Sequence, residues 1–216
     1  MTSAKPLPER AHVVIVGGGV IGTSVAYHLT KLGIVDVLLL EQGQLSSGTT
    51  WHAAGLVGQL RASEGMTRLV QYSTALYAEL ENETGLSAGY KQCGGVTVAR
   101  TEDRMVQLRR TAANAAAFDL QCELLSPEEA LEHYPVMRVD DLVGAIWLPA
   151  DGKANPTDLT FALAKGARNR GCRIVEKTRV LDVLVKDGRA RGVRTDAGDI
   201  EAEIVVITDD VPMAVT

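Results

Sequence analysis

The first clear element is a run of apolar residues that is continuous rather than alternating. His12 to Val16 is short and β-branched, which predicts a buried strand. Gly17-Gly18-Gly19-Val20-Ile21-Gly22 follows without a break. Ile21, Val25, Leu29 and Leu32 then recur at helical spacing, so a helix is expected over 21–32, with Gly33 as its stop. Asp36 to Leu40 predicts a second strand, closed by Glu41. Together these segments make a βαβ unit of roughly thirty residues, the usual size of the motif. From Gln44 to Gly58 small and polar residues show no period, and a loop is expected. A longer helix is predicted over 63–83, where Met66, Leu69, Val70, Ser73, Leu76, Tyr77 and Leu80 form one apolar or small face; Gly85 stops it.

The downstream pattern is mixed. Val96 to Val98 predicts a strand after Gly94-Gly95, and 102–120 a helix. Ser126-Pro127-Glu128-Glu129 is a capping box with proline at the first helical position, and Pro135 ends that helix. Leu142 to Leu148 reads as a strand, and Asp151-Gly152 as a turn. Asn155-Pro156 starts a helix that runs to about Arg170, before Gly171. Arg173 to Glu176 is a strand. Val180 to Val185, Ala190 to Thr195 and Asp199 to Glu203 form a three-stranded meander, and Ile204 to Ile207 a separate last buried strand. The order predicts an α/β fold. Residues 1–60 and 151–216 would form a Rossmann-like nucleotide-binding domain, and 61–150 an inserted α+β segment.

Composition narrows the function. Hydrophobic residues make up 46% and charged residues 23%, which excludes global disorder. Apolar runs such as Val13–Val16 and Val37–Leu40 are far too short to span a bilayer. With a net charge of −5 and no basic cluster beyond Arg109-Arg110, nucleic acid is not the expected partner. Cys93, Cys122 and Cys172 are widely spaced, so neither a disulfide framework nor a zinc knuckle is legible. Reduced thiols and a cytoplasmic location are expected, with the mitochondrial matrix as the alternative had a presequence been removed. No metal-ligand spacing is visible; Asp209-Asp210 reads as a solvated pair. His12, His28 and His133 read as structural, the last as a cation at a helix C-terminus.

The glycines carry the first chemistry. Gly17 lets a strand turn sharply into a helix. Gly19 leaves room for a pyrophosphate to reach backbone amides, and Gly22 lets the helix pack close. The helix N-terminus then offers N–H groups and positive dipole charge to phosphates. Glu41 lies roughly twenty residues beyond Gly19, where a carboxylate accepts bonds from ribose hydroxyls. This fingerprint does not separate NAD from FAD.

The next segment does. Ser47-Gly48-Thr49-Thr50-Trp51-His52-Ala53-Ala54-Gly55-Leu56 resembles the loop that passes under the flavin in glycine-oxidase and D-amino-acid-oxidase flavoproteins. Its W-H-A-A-G string is similar to that of the dimethylglycine and sarcosine dehydrogenases. The likeness continues through Glu83-Thr84-Gly85, Gly94-Gly95, Leu125-Ser126-Pro127-Glu128, Tyr134-Pro135 and Asp151-Gly152 with Asn155-Pro156, over nearly all of 11–207.

The resemblance implies a glutathione-reductase-type FAD fold of the DAO family. It implies a covalent bond from His52 to the flavin 8-methyl carbon, chemistry that suits a neutral imidazole nucleophile. It carries cofactor contacts onto Val20, Ile21, Glu41, Gln42, Gly48, Thr49, Thr50, Trp51, Ala53, Ala54, Gly55 and Leu56, and onto the Val180 backbone at the adenine edge. For Ser46 and Ser47 the alternative is a turn-shaping role, and Trp51, as core filling, is given no chemistry. The implied reaction is oxidation of an N-methylated amine such as sarcosine or dimethylglycine. Hydride passes from the N-methyl carbon to flavin N5, leaving an iminium that hydrolyses to formaldehyde.

No substrate base or amine-binding residue is identified in the chain. Two departures stand out. After the last strand the family's small-Ala-Gly turn is replaced by Thr208-Asp209-Asp210-Val211-Pro212, and the chain stops at Thr216, far short of family members. A truncated form is expected, with a missing C-terminal region or a partner chain completing the sheet. The rivals are a non-catalytic flavin-binding fragment or subunit that requires another chain, an NAD-dependent dehydrogenase, and an amino-acid oxidase with non-covalent FAD.

Overall fold

The computed structural model describes residues 7–208. Two compact units emerge, one within Met1–Ala54, Glu79–Gly89 and Asn155–Thr216, the other Gly55–Ala78 with Tyr90–Ala154.

In chain order, the first unit begins with β1 (Arg10–Val16), α1 (Val20–Lys31) and β2 (Val37–Leu40). Residues 44–58, expected to be irregular, hold a 3-10 turn at Thr50–His52 and the two-residue β3 (Leu56–Val57). Next is α2 (Glu64–Thr84), whose last turns belong to the first unit. The second unit continues with β4 (Lys91–Gln92), β5 (Gly95–Ala99), α3 (Glu102–Ala117), β6 (Glu123–Leu125), α4 (Pro127–His133), β7 (Gly144–Leu148) and β8 (Gly152–Lys153). The chain returns to the first unit with α5 (Pro156–Asn169), β9 (Arg173–Val175), β10 (Val180–Lys186), β11 (Arg189–Thr195) and β12 (Gly198–Ile207).

The first unit is built on a six-stranded sheet of order β10-β11-β12-β1-β2-β9. β12, β1, β2 and β9 run parallel, as a βαβ crossover requires. Ala11, Val14, Val16, Leu38, Leu40, Val180, Val193, Ile200 and Ala202 form one core on this sheet. The continuous apolar runs of β1 and β2 have the pattern of strands buried on both faces.

One expectation is corrected. Asp199–Glu203 and Ile204–Ile207 are a single ten-residue strand, because no turn residue interrupts them. Its start pairs antiparallel with β11, from Gly198 to Glu201. From Glu201 onward it pairs parallel with β1. The end is not buried as expected: Ile204 is 46% and Ile207 42% exposed. Among the described residues this stretch has a ladder on one side only, with β1.

A tyrosine ties three helices of this unit together. Tyr27 of α1 is fully buried, and Gly166 of α5 admits its ring; a Cβ there would lie 2.7 Å from the ring carbons. The Tyr27 hydroxyl donates to the Glu83 carboxylate at 2.6 Å, and Arg170 forms an ion pair with the same carboxylate. Burial alone would raise the Glu83 pKa. The hydrogen bonds from Tyr27 and Arg170, and the charges of Arg170 and Lys31, outweigh it and hold the group below the usual carboxylate range.

The second unit holds two three-stranded sheets, β3-β8-β4 and β5-β7-β6. Ala99, Met105, Leu108, Ile146 and Leu148 pack where α3 meets the latter sheet, and Leu125, Ala130 and Ala145 where α4 does. The expected capping box is present: Ser126 accepts from the Glu129 amide while the Glu129 carboxylate accepts from the Ser126 amide. α3 ends at Ala117, earlier than the period suggests, with Asp119 at φ 55°.

Tyr27→Phe removes a hydrogen bond to a charged acceptor and should lower unfolding free energy by about 2 kcal/mol in denaturant titrations. A carboxylate whose folded pKa lies below its unfolded value stabilises fully above the unfolded value and loses that contribution as pH falls through the folded one. Glu83→Gln should therefore cost stability at neutral pH and show a shallower loss of melting temperature below about pH 4.

Candidate functional site

The β1–α1 turn is set by space as much as by backbone angle. Gly17 has φ 110°, and its amide donates to the Leu40 carbonyl at 2.9 Å. A Cβ on Gly22 would sit 1.9 Å from the Gly17 carbonyl oxygen, so only glycine closes this turn. Gly19 is the N-cap of α1 with ordinary extended angles, and the space a Cβ would need is limited by the Thr50 hydroxyl, 2.8 Å away. The first turn of α1 carries no acidic residue, so nothing in it opposes an anion at the positive end of the helix.

Glu41 is buried at the end of β2. One carboxylate oxygen accepts from the Gly18 amide and the other from the Gly43 amide, both at 2.6 Å. A carboxylate has about four lone-pair positions, which leaves acceptor capacity for two more donors. Sequence reasoning gave this residue a ligand and missed Gly18 and Gly43, its internal partners. The signal for Gly18 was in the motif: a Cβ there would lie 2.8 Å from Glu41 and Leu45.

The following loop is pinned at several points. Leu45 donates its amide to the Glu176 carboxylate at 2.7 Å, and Ser46 to the Gly18 carbonyl at 3.0 Å. Ser46 has φ 68°, and the Ser47 hydroxyl accepts from the Gln44 amide, so both serines shape the turn. Thr50 is buried, and its hydroxyl accepts the Val20 amide at 3.0 Å. The 3-10 turn is closed by bonds from His52 to the Thr49 carbonyl and from Ala53 to the Thr50 carbonyl.

The expectation for Trp51 is corrected: it is 58% exposed and not core filling. The rings of Trp51 and His52 lie 3.9 Å apart at an interplanar angle of 34°, and both residues face solvent. Gln42, Gly48, Thr49, Ala53 and Ala54 are exposed, as is Ile21, while Val20 is half-buried. The first unit brings Gly17–Gly22, Glu41 and Thr50 together around the N-terminus of α1. Gly55 and Leu56 fall in the second unit, Leu56 pairing with Lys153. Val180 is buried in the first core, two residues beyond Thr178, whose amide donates to the Glu41 carbonyl.

Other candidates find structural places. His12 faces Glu203 at 3.4 Å, His28 Nδ1 lies 2.7 Å from the Ser24 carbonyl, and His133 stacks on Trp147 at 4.1 Å. All three cysteines are free, and burial pushes the Cys172 thiol up to about 11, so it is protonated at neutral pH. Among the described residues no cluster of three or more His, Cys, Asp or Glu is placed to hold a metal, and no helix is long and apolar enough to cross a membrane. Asp209-Asp210 lies outside the described residues.

The chain has clear relatives. Residues 12–210 match the family described as FAD dependent oxidoreductase, DAO. The mitochondrial pyruvate dehydrogenase phosphatase regulatory subunit of Mus musculus is 42% identical over 200 residues, covering 93% of this chain and 23% of that protein. Mitochondrial sarcosine dehydrogenase of Homo sapiens is 39% identical over 209 residues, covering 94% and 23%. The crystal structure of L-proline dehydrogenase from P. horikoshii superposes with a TM-score of 0.87 at 30% identity, covering 94% of this chain and 54% of that one. The chain thus spans 23% of the length of these two curated relatives.

Glu41→Ala strips two N–H groups of their acceptor, one of them buried. At about 1–3 kcal/mol for each unsatisfied group, it should destabilise the protein by about 3 kcal/mol, measured by urea unfolding. A change below about 1 kcal/mol would contradict this geometry.

Proposed function

We propose that the chain, which belongs to the FAD dependent oxidoreductase family, seats FAD against the α1 N-terminus and holds it covalently through His52. The observation that carries this reading is the solvent-facing imidazole on a short turn whose Thr50 also caps that helix. The glycine cradle fits the cofactor, since no Cβ fills the turn at 17, 18, 19 or 22 and a helix N-terminus with no acid in its first turn faces the opening. Val20 and Ile21 sit where backbone would meet the pyrophosphate. Glu41 keeps two lone-pair positions for ribose hydroxyls, beside Gln42. Gly48, Thr49, Thr50, Trp51, Ala53 and Ala54 would border the ribityl chain and ring, and the Val180 backbone the adenine edge. In this reading 1–60 and 151–216 form the FAD-binding domain around an inserted segment, 61–150.

When bound, FAD supplies the hydride acceptor for an amine C–H. His52 contributes an imidazole nitrogen as the nucleophile, at an exposed position. The substrate class is an N-methylated amine such as sarcosine or dimethylglycine, supported by the W-H-A-A-G string and by the likeness to sarcosine dehydrogenase. No residue of this chain is assigned to amine binding or proton transfer. The cytoplasm or the mitochondrial matrix is the proposed location. A second reading, a flavin-binding subunit without turnover, is favoured by the 42% identity to a regulatory subunit. The two readings share the flavin seat and separate in an assay with sarcosine or dimethylglycine and a dye acceptor.

Acid denaturation tests the covalent link. Yellow flavin should precipitate with the wild-type protein and stay in the supernatant for His52→Ala. A colourless wild-type pellet under a yellow supernatant would sink the histidyl bond.

A further inference from the structure

The 3-10 turn that carries His52 is not a free loop. Its first residue, Thr50, is buried, and its hydroxyl accepts the amide of Val20, thirty positions earlier in the chain and the first residue of α1. The N-cap residue, Gly19, has no side chain with which to cap its own helix. That glycine also makes room for Thr50, because a Cβ on it would stand 2.8 Å from the Thr50 hydroxyl oxygen. The Thr50 carbonyl in turn accepts the Ala53 amide, which closes the turn around His52. One residue thus binds the phosphate-side end of the helix with its side chain and the histidine turn with its backbone.

We infer that Thr50 is a positioning residue: it caps α1 from a distance and so fixes the His52 imidazole relative to the helix end where the dinucleotide would sit. The inference rests on the proposed covalent flavin for its consequence, and on the hydrogen bonds alone for its cause. The consequence is a rate. Forming the N–C bond replaces one 8-methyl C–H and the imidazole N–H, and the two protons and two electrons released pass to dioxygen, giving hydrogen peroxide. An imidazole whose turn has come loose from the helix spends less time in reach of that carbon, so bonding slows while the nucleophile itself is unchanged.

Two measurements on Thr50→Val and Thr50→Ser test this. Native-state hydrogen exchange, read without flavin, should show the Val20, His52 and Ala53 amides exchanging about tenfold faster in Thr50→Val and at wild-type rates in Thr50→Ser, tenfold corresponding to one lost hydrogen bond. Incubation of flavin-free protein with saturating FAD in air should show acid-insoluble flavin accumulating about tenfold more slowly in Thr50→Val, with Thr50→Ser restoring the rate. Unchanged exchange at all three amides in Thr50→Val overturns the inference, as does unslowed incorporation. Wild-type protein that never forms acid-insoluble flavin overturns the histidyl bond instead, and the exchange arm still decides the capping. Should valine prevent folding, Thr50→Ala removes the same hydroxyl without putting a methyl in its place and substitutes for it in both arms.

Discussion

The contact between Gly22 and the Gly17 carbonyl is the constraint on which the site depends. With 1.9 Å between that oxygen and where a Cβ would be, the strand can reverse into α1 only if residue 22 has no side chain. Once the turn closes, the amide of Gly18 points at the Glu41 carboxylate and the helix N-terminus opens outward. Glu41 therefore has two duties: it ties the β1–α1 turn to the end of β2 through the Gly18 amide, shaping its own turn through the Gly43 amide, and it retains lone pairs for hydroxyl donors. A buried carboxylate is costly without partners, and here the partners are backbone groups that cannot rotate away.

Much of this is legible in the amino-acid sequence. Continuous β-branched runs meant strands buried on both faces, and the glycine spacing with Glu41 placed the cradle. The capping box at Ser126 and the Asn155-Pro156 helix start were equally plain, because local hydrogen bonds decide them. What escaped was non-local. β4 and β8, like β3, are two-residue strands held by pairing and carry no period of their own. The continuity of β12 was missed because its partner changes at Glu201, from β11 on one side to β1 on the other, while its side chains follow no single burial pattern. Trp51 was misjudged because an aromatic residue is usually inside, a rule about composition rather than position.

The histidine turn shows the same division. The residues Trp51 to Gly55 were recognisable as a string, yet nothing in the string announces that Thr50 reaches the first amide of α1. That bond joins two segments thirty residues apart and turns a loop into part of the cradle. It also gives Gly19 a reason to be glycine that phosphate access alone does not supply, since a methyl there would press on the Thr50 hydroxyl. Helix cap, glycine turn and the backbone of the histidine turn form one small hydrogen-bonded assembly, built within a single unit of the chain.

The most direct test of the central claim is a crystal structure of the protein with FAD. Pyrophosphate density is expected at the α1 N-terminus, with continuous density from the His52 imidazole to the flavin 8-methyl carbon. A dinucleotide bound elsewhere, or an imidazole remote from the ring, would contradict it.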